Sequence, residues 1–128
     1  MKIAVDASAL LAILLNEPDG DHYLNRLLSA SSIWITPINW WEVQARMRAV
    51  YGPEGEARSD EWMRSIGLRV VSTTLAHAKI AAQASAKFRG RPARLNMGDC
   101  FAYALAVSNN IPLLYKGNDF ALTDVRSA

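Results

Sequence analysis

The chain has 128 residues, 51% of them hydrophobic, and this size and composition predict one compact globular domain over residues 1–128. The net charge is +2, which is too small to indicate nucleic-acid binding by itself. The longest uninterrupted apolar run, from Ala9 to Leu15, is far shorter than the roughly 18 residues of a membrane-spanning helix, so membrane insertion is not expected. The chain starts without a signal-peptide pattern and has a single cysteine, and both features predict a cytoplasmic protein.

Short apolar runs rich in β-branched residues alternate along the chain with segments of helical periodicity. Pro37 is well placed to begin a helix, Gly52 and Pro53 are predicted to end it, and Asp21 is predicted as the N-cap of another helix. In chain order we predict a strand at 2–6, helices at 7–16 and 21–29, a strand at 32–37, helices at 37–51 and 54–66, a strand at 68–72, a helix at 74–88, a basic turn at 89–94, a helix at 96–110 and a strand at 112–115.

This alternation of strands and helices is typical of an α/β domain. We expect a largely parallel central sheet of four to five strands with helices on both faces. In such sheets the ligand site lies outside the carboxyl ends of the strands, so residues at these ends are the first candidates for function.

Four carboxylates lie where this topology predicts one edge of the sheet. Asp6 closes the first strand, and Glu42 lies just inside the helix after the second strand. Asp99 lies in the first turn of the helix before the fourth strand, and Asp119 follows that strand. Carboxylates gathered in one cleft repel one another, and either protonation or a bound cation relieves the repulsion.

Mg²⁺ or Mn²⁺ is the cation that this set of side chains favours, because both prefer oxygen ligands and the chain has no histidine cluster. Ser8 lies two residues beyond Asp6, and Asn118 adjoins Asp119, so each is a candidate for a further oxygen contact. A metal that activates water and neutralises charge on a phosphate is suited to phosphodiester hydrolysis.

Each acidic residue taken singly also has an ordinary structural explanation. Asp6 is a candidate N-cap, and Asn96 followed by Asp99 resembles a capping box. Glu42 is in a common position for a solvated helix residue, and Asp119 is in a common position for a turn residue. The argument for one site therefore rests on the four residues together.

Three further features of the sequence are candidates for function. The segment from Trp62 to Gly98 has seven basic residues and no acidic one, which predicts either a positive surface beside the acidic site or a solvated basic face. Trp40 and Trp41 are adjacent on a predicted helix and project in different directions, so one of them is a candidate for contact with a partner. Cys100 is more typical of a core residue than of a nucleophile.

Four segments, VDASALLA, the glutamate of INWWEV, MGDCFAYALA and LLYKGNDF, occur in the order and spacing of the PIN domain. Over essentially its whole length the chain resembles the VapC-type toxins of bacterial and archaeal toxin–antitoxin pairs. The resemblance implies a metal-dependent endoribonuclease with Asp6, Glu42, Asp99 and Asp119 as the acidic site and Ser8 and Asn118 in support. Of these residues, we expect Asp6, Asp99 and Asp119 to bind Mg²⁺ or Mn²⁺.

The same resemblance implies partners. We expect an RNA substrate, a cognate VapB-type antitoxin, a homodimer, and contact with DNA only through the antitoxin. Arg89, Arg91 and Arg94 immediately precede the helix that carries Asp99, so we predict that they contact RNA phosphates beside the cleaved bond.

Three other functions compete with this interpretation. A receiver-like phospho-acceptor domain has a similar fold, but members of that class have a pair of adjacent acidic residues early in the chain. Here Val5 precedes Asp6, so this pair is missing. A phosphotransferase or phosphatase with an aspartate nucleophile is disfavoured because Asp-Ala-Ser replaces the common Asp-x-Asp start. A PIN nuclease of RNA processing or DNA structure cleavage, without an antitoxin, is harder to separate from a toxin on sequence alone.

Overall fold

The computed structural model describes residues 1–90 and 93–128, so Arg91 of the predicted basic turn lies outside the described residues. Four strands form one sheet within this part of the chain: β1 (Lys2–Val5), β2 (Ser32–Ile35), β3 (Arg69–Val70) and β4 (Leu113–Leu114). Their order is β3-β2-β1-β4, and every neighbouring pair is parallel. The predicted parallel sheet is therefore confirmed.

Helices occupy the segments between the strands, as the periodicity predicted. They are α1 (Ala7–Leu14), α2 (Gly20–Ser29), α3 (Pro37–Ser65), α4 (Leu75–Phe88) and α5 (Met97–Ser108), followed by a single 3₁₀ turn at Phe120–Leu122. Beyond β4, Ser127 makes an isolated parallel bridge to Leu113, so the C-terminal segment continues the sheet without forming a further full strand.

The alternation of side chains along β1 produces two separate cores. Ile3 and Val5 pack in one core with residues of α1, α2 and α3. Ala4, between them, packs in the other core with residues of α4 and α5. Successive strand residues point to opposite faces, so the sheet is covered by helices on both faces, as predicted.

Helix α3 is interrupted at the predicted place. Gly52 has φ 72° and ψ −166°, a backbone conformation that is essentially restricted to glycine. The hydroxyl of Ser59 donates a hydrogen bond of 2.7 Å to the side chain of Gln44, although 15 residues of straight helix would span about 22 Å. The two halves of α3 therefore fold back on each other at Gly52.

The prediction of Asp21 as an N-cap is wrong. Helix α2 begins at Gly20, and Asp19 occupies the N-cap position without a capping hydrogen bond from its side chain. Its carboxylate instead pairs with the Lys116 ammonium, distant in sequence, at 2.9 Å. None of the helices formed by residues 1–90 and 93–128 is long and apolar enough to cross a membrane.

Candidate active site

Asp6 is the first acidic residue of the site, at the point where β1 ends and α1 begins. Its Oδ2 accepts a hydrogen bond of 3.1 Å from the Ser8 backbone N–H, so it caps α1 as one of its two interpretations predicted. The side chain is only 5% exposed. Burial raises the pKa of Asp6, although hydrogen bonds from Ser8 act in the opposite direction. An ionised Asp6 is therefore costly in this place unless a positive charge joins it.

Asn39 connects the other parts of the site to Asp6. Thr36 caps α3 by accepting the Asn39 N–H, and its hydroxyl donates to the Asn39 Oδ1 at 2.6 Å. With Oδ1 held in this way, the Asn39 Nδ2 points to three acceptors: Glu42 Oε1 at 2.8 Å, the Gly98 carbonyl at 3.1 Å and Asp6 Oδ1 at 3.4 Å. Asn39 is fully buried, so this amide fixes the relative positions of β1, α3 and α5 at their meeting point.

Glu42 lies so close to the backbone of α5 that a side chain at position 98 would displace its carboxylate. A Cβ atom added at Gly98 would lie 2.3 Å from one carboxylate oxygen of Glu42 and 2.4 Å from the other. Partial burial raises the pKa of Glu42, and the charge of Asp6 adds to this effect. The missing side chain of Gly98 thus makes room for a carboxylate beside the first turn of α5.

Asp99 lies in that first turn and forms the predicted capping box with Asn96. The Asn96 side chain accepts the Asp99 N–H at 2.9 Å, and Asp99 Oδ2 accepts the Asn96 N–H at 3.0 Å. Burial raises the pKa of Asp99 to about 7, with smaller contributions from the charges of Asp6, Glu42 and Asp119. The structural explanation of this aspartate is therefore confirmed, and its functional role stays a prediction.

Three of the four predicted acids share one groove of about 520 Å³. Asp6, Glu42 and Asp99 line it together with residues of α1 and of the N-terminal half of α3. Asp119 is exposed and does not line this groove, but its charge contributes to the raised pKa of both Asp6 and Asp99. Asp119 is thus at the same edge of the sheet, on its outer side.

The carboxylates do not form a complete cage for an ion. Among the residues that the structure describes, no three or more His, Cys, Asp or Glu side chains are arranged to hold one metal ion. This arrangement still suits Mg²⁺, which keeps several of its waters and commonly binds only one or two carboxylates. All the acidic ligands offered by the groove are oxygen donors, which are the ligands that Mg²⁺ and Mn²⁺ prefer.

Ser8 connects the site to the loop after β4. Its hydroxyl accepts the Lys116 backbone N–H at 2.9 Å, and it also hydrogen-bonds Asp6, lowering the pKa of that carboxyl. The loop that Ser8 holds continues through Asn118 and Asp119, both of which are exposed. Ser8 therefore positions this loop relative to Asp6.

Arg89 and Arg94 are exposed and line a second groove, of about 660 Å³, between α4 and α5. Asn96 lines both grooves, so the basic residues lie next to the acidic site. Arg91, the third predicted RNA contact, lies outside the described residues.

Asn39 and Gly98 are the functional-site residues that sequence reasoning missed. Asn39 precedes Glu42 by three residues, which puts both on one face of α3, and this spacing was the available signal. Gly98 stands directly before Asp99, in the first turn of a helix where glycine is otherwise unfavourable. Cys100, by contrast, is buried in the core as expected.

The fold and the site define an α/β domain with carboxylates gathered at the ends of parallel strands. Comparisons with known proteins identify its family. The model of the PIN domain family matches residues 3–125. Ribonuclease VapC28 of Mycobacterium tuberculosis is 36% identical over 127 residues, which cover 97% of this chain and 96% of the relative. A ribonuclease VapC of Mycolicibacterium smegmatis is 34% identical, covering 96% and 97%. The chain therefore belongs to the PIN domain family, among its VapC ribonucleases.

Solved structures show the same fold at much lower sequence identity. The Mycobacterium tuberculosis toxin VapC20, described as cleaving the sarcin–ricin loop, has a TM-score of 0.78 at 16% identity, covering 98% of each chain. A chain of Rickettsia felis VapBC2, solved with a promoter DNA fragment, has a TM-score of 0.78 at 14% identity, covering 99% of this chain and 96% of that chain. At these identities the likeness concerns the fold, and it confirms the predicted PIN-like architecture.

Proposed function

We propose that this protein is a Mg²⁺- or Mn²⁺-dependent endoribonuclease and the toxin of a type II toxin–antitoxin pair. The observation that carries the proposal is the groove in which Asp6, Glu42 and Asp99 meet, with burial raising the pKa of each carboxyl. The relatives named ribonucleases match the chain over nearly its full length, which supports an activity on RNA.

The residues of the chain divide the work as follows. Asp6 and Asp99 would hold the ion, with Asp119 reaching in from the loop after β4. When bound, the ion supplies an activated water and neutralises charge on the phosphate. Glu42, kept in place by Asn39, is positioned to accept a hydrogen bond or a proton from the attacking water. Arg89, Arg91 and Arg94 would contact phosphates on either side, an interaction that weakens as salt rises.

Substitution of Asp6 by Asn tests the metal and the reaction together, because it removes the charge while nearly preserving the shape. We expect RNA cleavage to fall by about a hundredfold or more, and the Mn²⁺-induced rise in the melting temperature to disappear. Asp21→Asn, on the exposed surface of α2, is the matched control and should change neither quantity. Wild-type cleavage in Asp6→Asn, or undiminished cleavage in excess EDTA, would refute the proposal.

The proposed partner is a VapB-type antitoxin that binds operator DNA, so that the toxin meets DNA only indirectly. A groove with three carboxylates attracts a cationic side chain, and an arginine can pair with carboxylates through two hydrogen bonds. We also propose that the protein acts in the cytoplasm as a homodimer. Light scattering of the purified toxin, and binding of the product of the adjacent gene to wild type and Asp6→Asn, test these two assemblies separately.

A receiver-like phospho-acceptor is the alternative that the structure disfavours. Lys116 follows β4, where such a domain would direct a lysine toward its acidic site. Here the Lys116 ammonium pairs with Glu17 and with Asp19, on the segment between α1 and α2. These two contacts raise the pKa of Lys116 to about 12, and the amine is held by acids outside the groove.

A further inference from the structure

Trp41 differs from the other three tryptophans of the chain. Trp34, Trp40 and Trp62 are partly buried and pack against the two hydrophobic cores. Trp41 is 63% exposed and belongs to neither core. An indole left mostly in water contributes little hydrophobic stabilisation, so burial in the fold does not explain a tryptophan at this position.

The position of Trp41 relates this exposure to the candidate active site. Trp41 lines the same groove as the three carboxylates and is the immediate neighbour of Glu42. Ala45 and Ala49 follow it at four-residue intervals on the same face of α3, and their small side chains leave the groove open along the helix. Arg46, one turn after Glu42, adds an exposed positive charge to this wall.

We propose that Trp41 is a stacking platform for a nucleobase of single-stranded RNA, next to the phosphodiester bond that is cut, and that Arg46 contacts the backbone phosphate of that nucleotide. The inference rests on the proposed ribonuclease function and names a binding position for its substrate. Every base has a π-face, so an exposed indole binds bases through stacking whatever their sequence, while a guanidinium provides the charge that a phosphate requires.

The size and the lining of the groove suit a nucleotide. Its volume of about 520 Å³ falls within the range of small-molecule sites, which is about 300–1,000 Å³. One aromatic side chain, one cation and a row of alanines line it on the α3 side. On the proposed function, the carboxylates of the groove meet a phosphodiester during cleavage, and Trp41 and Arg46 line the same groove, within reach of a base and a phosphate next to that bond.

Binding measurements on a protein that does not cleave isolate this contact. In an Asp6→Asn background, the probes are a mixed-sequence single-stranded RNA and an abasic sugar–phosphate chain of the same length. Trp41→Ala should weaken binding of the RNA by about fivefold to a hundredfold, the range for loss of one base stack, and leave binding of the abasic chain unchanged. Trp41→Phe retains a ring and should restore most of the affinity.

Fluorescence provides a second measurement. Stacking of a base should quench the indole emission, and Trp41→Phe should remove this quenching although RNA still binds, whereas Trp62→Phe should retain it. Leu28→Ala, a truncation of a 65% exposed side chain on α2, is the control and should leave RNA affinity unchanged.

The outcomes separate this inference from the proposed function. If wild type cuts no RNA with either metal, the proposed function fails, and stacking is judged on binding alone. If wild type cuts RNA and Trp41→Ala retains its KM and its affinity for RNA, the inference about Trp41 is overturned while the ribonuclease stands. If Trp41→Ala weakens only the complex with the antitoxin, the indole belongs to a protein interface, and the inference is overturned as well.

Discussion

Two groups of carboxylates lie near the ends of the strands, and they differ in how their charge is compensated. Glu17 and Asp19, between α1 and α2, both pair with the Lys116 ammonium. Asp6 and Asp99 lie in the neighbouring groove. Burial raises the pKa of both, and repulsion from nearby carboxylates raises it further. Ser8 joins the two regions, because its backbone N–H donates to Asp6 and its hydroxyl accepts from the Lys116 backbone N–H.

The comparison distinguishes acidic residues that a cation of the chain neutralises from acidic residues that the chain leaves without a cation. The acids around Lys116 are matched by a cation from the chain itself, so folding completes that cluster. In the groove the carboxylates accept hydrogen bonds from the Asn39 amide and from the backbone N–H groups of Ser8 and Asn96. Among the described residues, Asp6, Glu42 and Asp99 have no salt bridge. We therefore expect these carboxylates, which no cation of the chain compensates, to bind a cation from solution.

Removal of Asn39 should have the largest effect on the groove. Asn39→Ala takes away the donor to Glu42, Asp6 and the Gly98 carbonyl, and leaves buried polar atoms without partners. We expect the protein to lose about 1–3 kcal/mol of stability and RNA cleavage to fall by about tenfold or more, because the carboxylates lose their orientation. Urea denaturation and cleavage kinetics measure the two effects.

Gln44→Ala is the matched control for Asn39→Ala. Gln44 is also a buried amide on α3, and its side chain accepts a hydrogen bond from Ser59, in the other half of the helix. This variant should lose a similar amount of stability, but under conditions where it is folded it should cleave RNA at the wild-type rate. Equal losses of activity in both variants would mean that Asn39 acts through general stability alone.

The pH dependence of stability should show the charge repulsion in the groove. Folding favours the protonated form of Asp99, because its pKa is raised from 3.8 to about 7. This contribution is complete below about pH 4 and is lost as the pH rises toward 7, so metal-free protein should become less stable over that interval. Since Asp99 is partly exposed and solvent screens it, we expect Asp99→Asn to recover only about 1 kcal/mol at pH 7.5.

Melting temperatures of wild type and Asp99→Asn in EDTA, from pH 4 to 8, measure this difference. The two curves should converge at low pH and separate as the pH rises. Addition of Mg²⁺ or Mn²⁺ should raise the wild-type curve at neutral pH more than that of the variant. Parallel curves over the whole interval would show that the charge of Asp99 does not destabilise the folded protein.

The smallest effect is expected at Lys116. Lys116→Met leaves Glu17 and Asp19 without their cation, but both are partly exposed and can be hydrated instead. The Ser8 contact uses the backbone N–H of residue 116 and persists in the variant. We expect a slightly lower melting temperature and cleavage within about twofold of wild type. The part of the salt dependence of the melting temperature that comes from this ion pair should disappear. A large loss of cleavage would show that the two acidic regions act as one.

Local sequence was enough to predict the helices and strands and to select most of the acidic residues of the candidate site. Apolar periodicity located the strands and helices, Pro37 and Gly52 marked the start and the interruption of α3, and the Asn96–Asp99 spacing predicted a capping box that the structure contains. Such features depend on a few neighbouring residues, so periodicity, backbone freedom and capping rules are sufficient to recognise them. The gathering of Asp6, Glu42 and Asp99 followed from the topology of a parallel sheet.

The contacts between distant segments were decided only by the tertiary structure. Asn39 became a buried link because Asp6 and the Gly98 carbonyl, 33 and 59 residues away, converge on its amide. Asp21 was mistaken for an N-cap, whereas Asp19 holds that position and its carboxylate pairs with Lys116, 97 residues away. Trp40 and Trp41 are alike in sequence, and only the packing of α3 decides which of them is buried. Chemical character is local, whereas burial and charge compensation depend on which segments folding brings together.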